Sequence, residues 1–313
     1  MPSTEPVATD PGYFGPHSVT WRVLTSPAAA LMIAQITNLL EVPHIDFQNV
    51  LYDHDPLFPT NTRRQRGRPP GARKGGLFHD RLRRTLSVPL PIVFGDRRSA
   101  DSCAARLFSY HRPMTGPGYS AVDPDAMLFA AVTISHAALI AYERFDLVDG
   151  IRPARLPQAE RDRYFAEMAR LAELMGVPVD RIPRSTDAVA DYYRSVSPKF
   201  VRRTGFRRAQ LQTALNLLRP EGRDDVRATV ADLVLIGSAA LAYAALPKPS
   251  RRLNGLPSAA DPLLDAAYVA SLPLFALLRV DGIARAAVNA YLGAADAAVL
   301  TEARTLLAAG QPA

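Results

Sequence analysis

Apolar residues recur at helical spacing along most of the chain, and no run alternates apolar and polar positions over strand length. Within Val19–Leu40 the pattern runs through Leu24, Ala28, Leu31, Met32, Ile36, Leu39 and Leu40, and Pro43 stops it. A short pattern over Asp80–Val88 meets Pro89 and Pro91. Ser99–Arg112 follows a helix-start signal at Gly95-Asp96. It places Ala100, Ala104, Leu107 and His111 on one face. Further helical patterns cover Asp125–Phe145, Gln158–Met175, Asp187–Val196, Arg207–Leu218, Asp224–Leu246, Asp261–Leu272 and Asp281–Leu307. The prediction is an all-α fold, one compact multi-helix domain over residues 19–308 with roughly nine to eleven helices. Residues 1–18, polar and rich in Pro and Gly, read as a flexible N-terminal tail.

Two segments stand out in that pattern. Asp123-Pro124 is an N-cap followed by proline at the first helical position, and the helix it opens is apolar nearly all round (LFAAVTISHAALIAY). Such a helix is buried on every side. Ala228–Leu246 is the most apolar stretch and approaches membrane-spanning length. Asp232 inside it favours a buried core helix, and peripheral membrane contact at one face stays open.

Charge changes the picture locally. The formal net charge is +7, and Arg63, Arg64, Arg66, Arg68, Arg73 and Lys74 supply most of it. They lie in residues 61–76, a Gly/Pro/Arg-rich stretch without apolar periodicity that reads as a mobile basic insertion. Arg66-Gly67-Arg68-Pro69 matches the core of a minor-groove-binding hook, but one copy of four common residues is outweighed by a solvated loop, so no nucleic-acid partner is expected. The single cysteine, Cys103, can form neither an internal disulfide nor a thiolate metal site. The N-terminus lacks the basic and apolar regions of a secretory signal, so a cytoplasmic location is expected.

Several chemistries find no support. Glu41-x-x-His44 resembles half of a di-iron carboxylate site, but Pro43 breaks the helical spacing and no second pair exists. There is no GxSxG elbow for nucleophilic catalysis and no glycine-rich phosphate cradle. Two histidines remain. His111 lies on the inward stripe of its helix, and His136 lies in the middle of the most apolar helix. A lone core histidine is more often structural than a ligand, yet a buried neutral imidazole is also what a haem iron needs. Arg81, Arg84 and Thr85 share one helix face, which suits an anionic group such as a haem propionate or a solvated basic surface equally well.

In order along the chain come SVTWRV, RLRRT, VFGD, H-x-x-M-x-G beginning at His111, Y-x-A-x-DP, AYERF, DRYFAEM, GVP and IPRST. Over roughly residues 18–245 this series resembles the family of the fungal oxygenase MpaB and the catalytic domain of bacterial latex-clearing rubber oxygenases. The resemblance implies an all-α fold and non-covalent haem b. It also implies an oxygenase that uses dioxygen on an apolar, isoprenoid-like substrate, with a non-catalytic helical haem or lipid binder as the alternative. It places the iron ligand at His111, and His136, by its position in the most apolar helix, is kept as the alternative ligand. Arg84 and Thr85 would then donate hydrogen bonds toward dioxygen, and Arg81 would pair with a propionate. Where rubber oxygenases carry a lysine, this chain has Arg84, whose guanidinium stays protonated and offers no lone pair to a metal. Oligomeric state has no signature in the sequence.

Overall fold

Ser26-Pro27 carries the same start signal as Asp123-Pro124, and it divides what the apolar pattern suggests is one helix. In the computed structural model, which describes residues 10–55, 89–202 and 237–309, α1 spans Val19–Leu24 and α2 spans Pro27–Glu41. The Ser26 hydroxyl accepts from the Ala29 N–H at 3.2 Å, which satisfies a first-turn donor that has no helical partner. The helices that follow are α3 (Ile45–His54), α4 (Pro89–Phe94), α5 (Arg97–His111), α6 (Pro124–Phe145), α7 (Gln158–Leu174) and α8 (Thr186–Val196). Residues 237–245 are helical. The chain continues through α9 (Lys248–Leu253), α10 (Asp261–Ala276), α11 (Asp281–Leu292) and α12 (Ala294–Ala309). The fold is all-α.

The element list departs from the expected one at points with identifiable causes. The run Asp281–Leu307 is two helices because Gly293 takes φ 87°, a backbone conformation that ends α11. Helix α4 contains both prolines read as disruptive. Pro89 and Pro91 fall in its first turn, where no helical N–H partner is lost. A two-residue hairpin, unforeseen in the sequence, pairs β1 (Thr115–Gly116) antiparallel with β2 (Tyr119–Ser120), in register Thr115↔Ser120 and Gly116↔Tyr119. Its turn is Pro117-Gly118, with φ 77° at the glycine, the pairing that suits a type II turn. The helices expected over Asp80–Val88 and Arg207–Leu218, most of Asp224–Leu246, and the basic insertion 61–76 lie outside the described residues.

The core is built around α2 and α6. Both are buried over most of their circumference, and alanines on each let the two backbones approach closely. Polar links fix the surrounding helices. The buried Tyr164 hydroxyl of α7 donates to the Ser135 carbonyl of α6 at 2.8 Å. Arg161 grips Glu143 with two bonds of 2.7 and 2.9 Å. Glu167 accepts from both the N–H and the hydroxyl of Thr20, tying α7 to α1. Trp21 Nε1 donates to the Val93 carbonyl at 3.1 Å, tying α1 to α4. Of the stretch expected as a tail, residues 10–18 are held in place. Asp10 accepts from the Arg97 N–H, the Tyr13 hydroxyl donates to Asp101, and Arg170 stacks over the Tyr13 ring at 4.1 Å.

Candidate cofactor site

Helix α5 starts at Asp96, whose carboxylate accepts from the Ser99 N–H at 2.7 Å. Only one stripe of it turns inward. Ala100, Cys103 and Ala104 are buried on that stripe, and Leu107 and His111 are half-buried farther along it. The remaining faces are open to solvent.

His111 ends the helix in a defined protonation state. Its Nδ1 lies 2.9 Å from the Leu107 carbonyl oxygen. A carbonyl can only accept, so Nδ1 carries the proton and Nε2 keeps its lone pair. Burial lowers the pKa of the ring, against the bond to Leu107, which raises it. The imidazole is therefore neutral at pH 7. Nε2 has no hydrogen-bond partner among the described residues. The ring of Tyr110 stands edge-on to His111 at 5.4 Å. Phe108 and Tyr110 remain 44% and 59% exposed, which leaves apolar surface beside the imidazole uncovered.

His136 is placed differently. It projects from α6 toward α8, with Nδ1 3.2 Å from the Tyr193 hydroxyl and its ring 5.4 Å from that of Tyr193. Burial drives its pKa down to about 4. A tyrosine hydroxyl can donate as well as accept, so this contact does not fix which ring nitrogen holds the proton. His111 and His136 share no hydrogen bond or ring contact. Arg81, Arg84 and Thr85 lie outside the described residues.

Among the described residues no group of three or more His, Cys, Asp or Glu side chains could hold a metal ion. Haem iron does not require such a group, because the porphyrin supplies four ligands and the protein one or two. The pair Glu41 and His44 forms no metal site. His44 is the N-cap of α3, its Nδ1 accepting from the Asp46 N–H at 3.3 Å, and Glu41 accepts from Thr133. A cluster that sequence reasoning missed joins the hairpin to α3. The Tyr119 hydroxyl donates to Asp53 at 2.6 Å and lies 3.2 Å from His54 Nε2. Tyr193 was missed as well. The apolar face of Asp187–Val196 was visible, but not that it would meet His136.

A family model described as the catalytic domain of "ER-bound oxygenase mpaB/B'/Rubber oxygenase" matches residues 63–278, well over half of the chain. The chain belongs to this family. No curated protein and no solved structure matches it. The mpaB/rubber-oxygenase match begins later and ends later than the resemblance read from residues 18–245. It takes in Arg81, Arg84, Thr85, His111 and His136 and leaves α1–α3 outside. Several motifs of the mpaB/rubber-oxygenase resemblance turn out to be structural junctions. Trp21 of SVTWRV bonds Val93 of VFGD. Glu143 of AYERF holds Arg161, and Glu167 of DRYFAEM holds Thr20. Ser185 of IPRST caps α8.

Proposed function

We propose that the protein is a haem b-dependent oxygenase of this family, acting on an apolar, isoprenoid-like substrate, with His111 as the protein ligand to iron. The observation that carries the reading is the bond from His111 Nδ1 to the Leu107 carbonyl. Haem-ligating and other metal-ligating histidines commonly donate their second nitrogen to a carbonyl or carboxylate, which fixes the ring and strengthens the ligand nitrogen. The donor chemistry at position 111 fits the group. When bound, haem supplies an iron centre that activates dioxygen.

The residues of the chain do the rest. His111 offers a neutral, oriented Nε2. Phe108 and Tyr110 offer exposed apolar area beside the imidazole that would help hold a porphyrin. Arg84 and Thr85 are assigned, from the family resemblance alone, as hydrogen-bond donors toward dioxygen. Arg81 is assigned to a propionate on the same basis. Burial lowers the pKa of His111, which favours the neutral ring that an iron ligand would need.

The test is reconstitution with haemin followed by absorption spectroscopy. The wild type is expected to give a Soret band, His111→Ala to lose it and His136→Ala to keep it. Loss in His136→Ala with retention in His111→Ala would move the ligand to α6. No band in the wild type would end the cofactor reading. Oxygen uptake with isoprenoid alkenes, present in the wild type and lost in Arg84→Ala, would separate turnover from mere haem binding.

A further inference from the structure

A cleft of about 410 Å³ lies where the start of α2, the end of α6, the end of α10 and the end of α12 meet. No residue of α5 lines it. Its lining joins two chemistries. Phe145, Phe275, Leu278 and Leu307 give apolar surface, and Arg22, Arg279 and Arg304 give three guanidinium groups against a single acid, Asp146.

Two of the arginines are already engaged. Arg22 meets Glu160 at 2.5 Å, and Arg304 meets Asp281 at 3.3 Å. Arg279 has no hydrogen bond or ion pair among the described residues, although it is exposed. The Nε of Arg22 is buried without a hydrogen-bond partner among the described residues. Ser26, Pro27 and Ala28, the first residues around the α2 start, also face the cleft, so the positive end of a 15-residue helix adds to its field. Burial raises the pKa of Asp146, against hydrogen bonds from Ser26 and Leu147 and the nearby charges of Arg304 and Arg279, which lower it. The one acid present is thus a reluctant anion.

The neighbouring surface is unusual in the opposite sense. The helical stretch Ser258–Arg279 is apolar enough to cross a membrane by composition, yet only 22% of its apolar window is buried. Leu263, Val269, Leu274 and Leu277 are 74%, 58%, 63% and 47% exposed. Leu274 is in the last turn of α10 and Leu278 in the 3-10 turn that follows it and lines the cleft, so exposed apolar surface approaches the edge of the cleft. An exposed apolar patch ending at a cleft with three guanidinium groups, of which Arg279 makes no ion pair among the described residues, suits a ligand with an anionic head and a hydrocarbon tail.

We propose that this cleft binds the phosphate head of a single-chain amphiphile, with Arg279 as its anchor and the hydrocarbon lying along Leu278, in the turn after α10, and Leu274 of α10. The inference does not rest on the cofactor reading, and the two fail separately.

The experiment is calorimetric titration of the intact protein with dodecyl phosphate below its micelle-forming concentration. Inorganic phosphate and dodecanol serve as the two half-ligands. Saturable binding of dodecyl phosphate is expected, about tenfold or more tighter than either half-ligand. Arg279→Ala should weaken it by about tenfold or more, and Arg279→Lys by less. Leu274→Ser should weaken dodecyl phosphate without changing inorganic phosphate. Arg98→Ala, an exposed cation on α5, should change nothing. Unchanged affinity in a folded Arg279→Ala, or equal affinity for dodecanol, would overturn the proposal. Binding to phosphatidate-containing vesicles without any binding of the monomeric amphiphile would overturn it in favour of a bilayer surface.

Discussion

Histidines in this chain are distinguished by what their second nitrogen meets. At His111 a carbonyl leaves one possible tautomer, and the remaining lone pair meets no partner among the described residues. At His44 the Nδ1 lone pair is already used to cap α3, and the ring lies against Phe129 at 4.4 Å. The buried rings also set a pH response. Burial lowers the pKa of His44 to about 4, partly opposed by the nearby Asp46, and burial lowers that of His136 to about 4. The unfolded chain takes up these protons near the ordinary value of about 6.5, before the folded protein does. Stability is therefore fully present above pH 6.5 and is lost as the pH falls from there toward 4. Each histidine accounts for at most roughly 3 kcal/mol of that loss. Urea denaturation at a series of pH values should show the decline. His44→Asn keeps a capping oxygen but cannot titrate, so it should lower stability at pH 7 by about 1–2 kcal/mol through lost packing and flatten the acid slope by one proton. A slope identical to the wild type would show that His44 is not one of the groups responsible. The stripe carrying His111 was legible because helical periodicity decides which face turns inward. The partner that fixes its tautomer was only half legible, since a carbonyl one turn back is available to any histidine ending a helix. Tyr193 against His136 was not legible at all, because that contact depends on how α6 and α8 pack.

At the scale of elements, the legible helices are those whose start signal and apolar face agree. Asp123-Pro124 opens α6 where the sequence says it should, with the Asp123 carboxylate accepting from the Asp125 N–H. Helix α3 was missed because its cap is a histidine and, of its ten residues, only Gln48 is buried, so neither signal is present. Helix α9 is short and basic, and Arg251 is its one buried residue. Arg251 is 1% exposed. It donates to the Ala244 and Leu246 carbonyls at 2.7 and 3.1 Å and to Asp261 and Asp265 at 3.1 and 2.8 Å. The carbonyls close the preceding helical stretch, where the last turn has no helical donors. The carboxylates lie in the first turns of α10. Arg251→Ala strips both ends at once and is expected to cost about 3–5 kcal/mol in urea denaturation. Arg251→Lys should recover only part of this, since one ammonium cannot reach four acceptors in a fixed fork. A loss below about 1 kcal/mol in Arg251→Ala would mean the bonds hold nothing that water cannot.

Across the whole molecule, the family match and the core do not share boundaries. The match begins at residue 63, yet α2, one half of the central helix pair, ends at Glu41. Met32 and Ile36 of α2 are essentially inaccessible, and α6 is buried in large part by α2. Removing residues 1–55 would expose that side of α6, an apolar helix 72% of whose window is buried in the intact protein. It would also remove Thr20 from Glu167 and Trp21 from Val93, the bonds that place α1 against α7 and α4. Burial of apolar side chains contributes about 25 cal/mol per Å², so stripping a whole helix face exceeds the net stability of an ordinary domain. A chain beginning at residue 56 is therefore expected to aggregate or to collapse without a cooperative thermal transition. Calorimetry of that chain beside the full-length protein is the measurement. A sharp, reversible transition in the shortened chain would mean that the matched region folds alone and that α1–α3 are an accessory layer. Absence of the transition, with its return on adding residues 10–55 back to the chain, would establish that the segment outside the family match is part of the core that holds the matched region in shape.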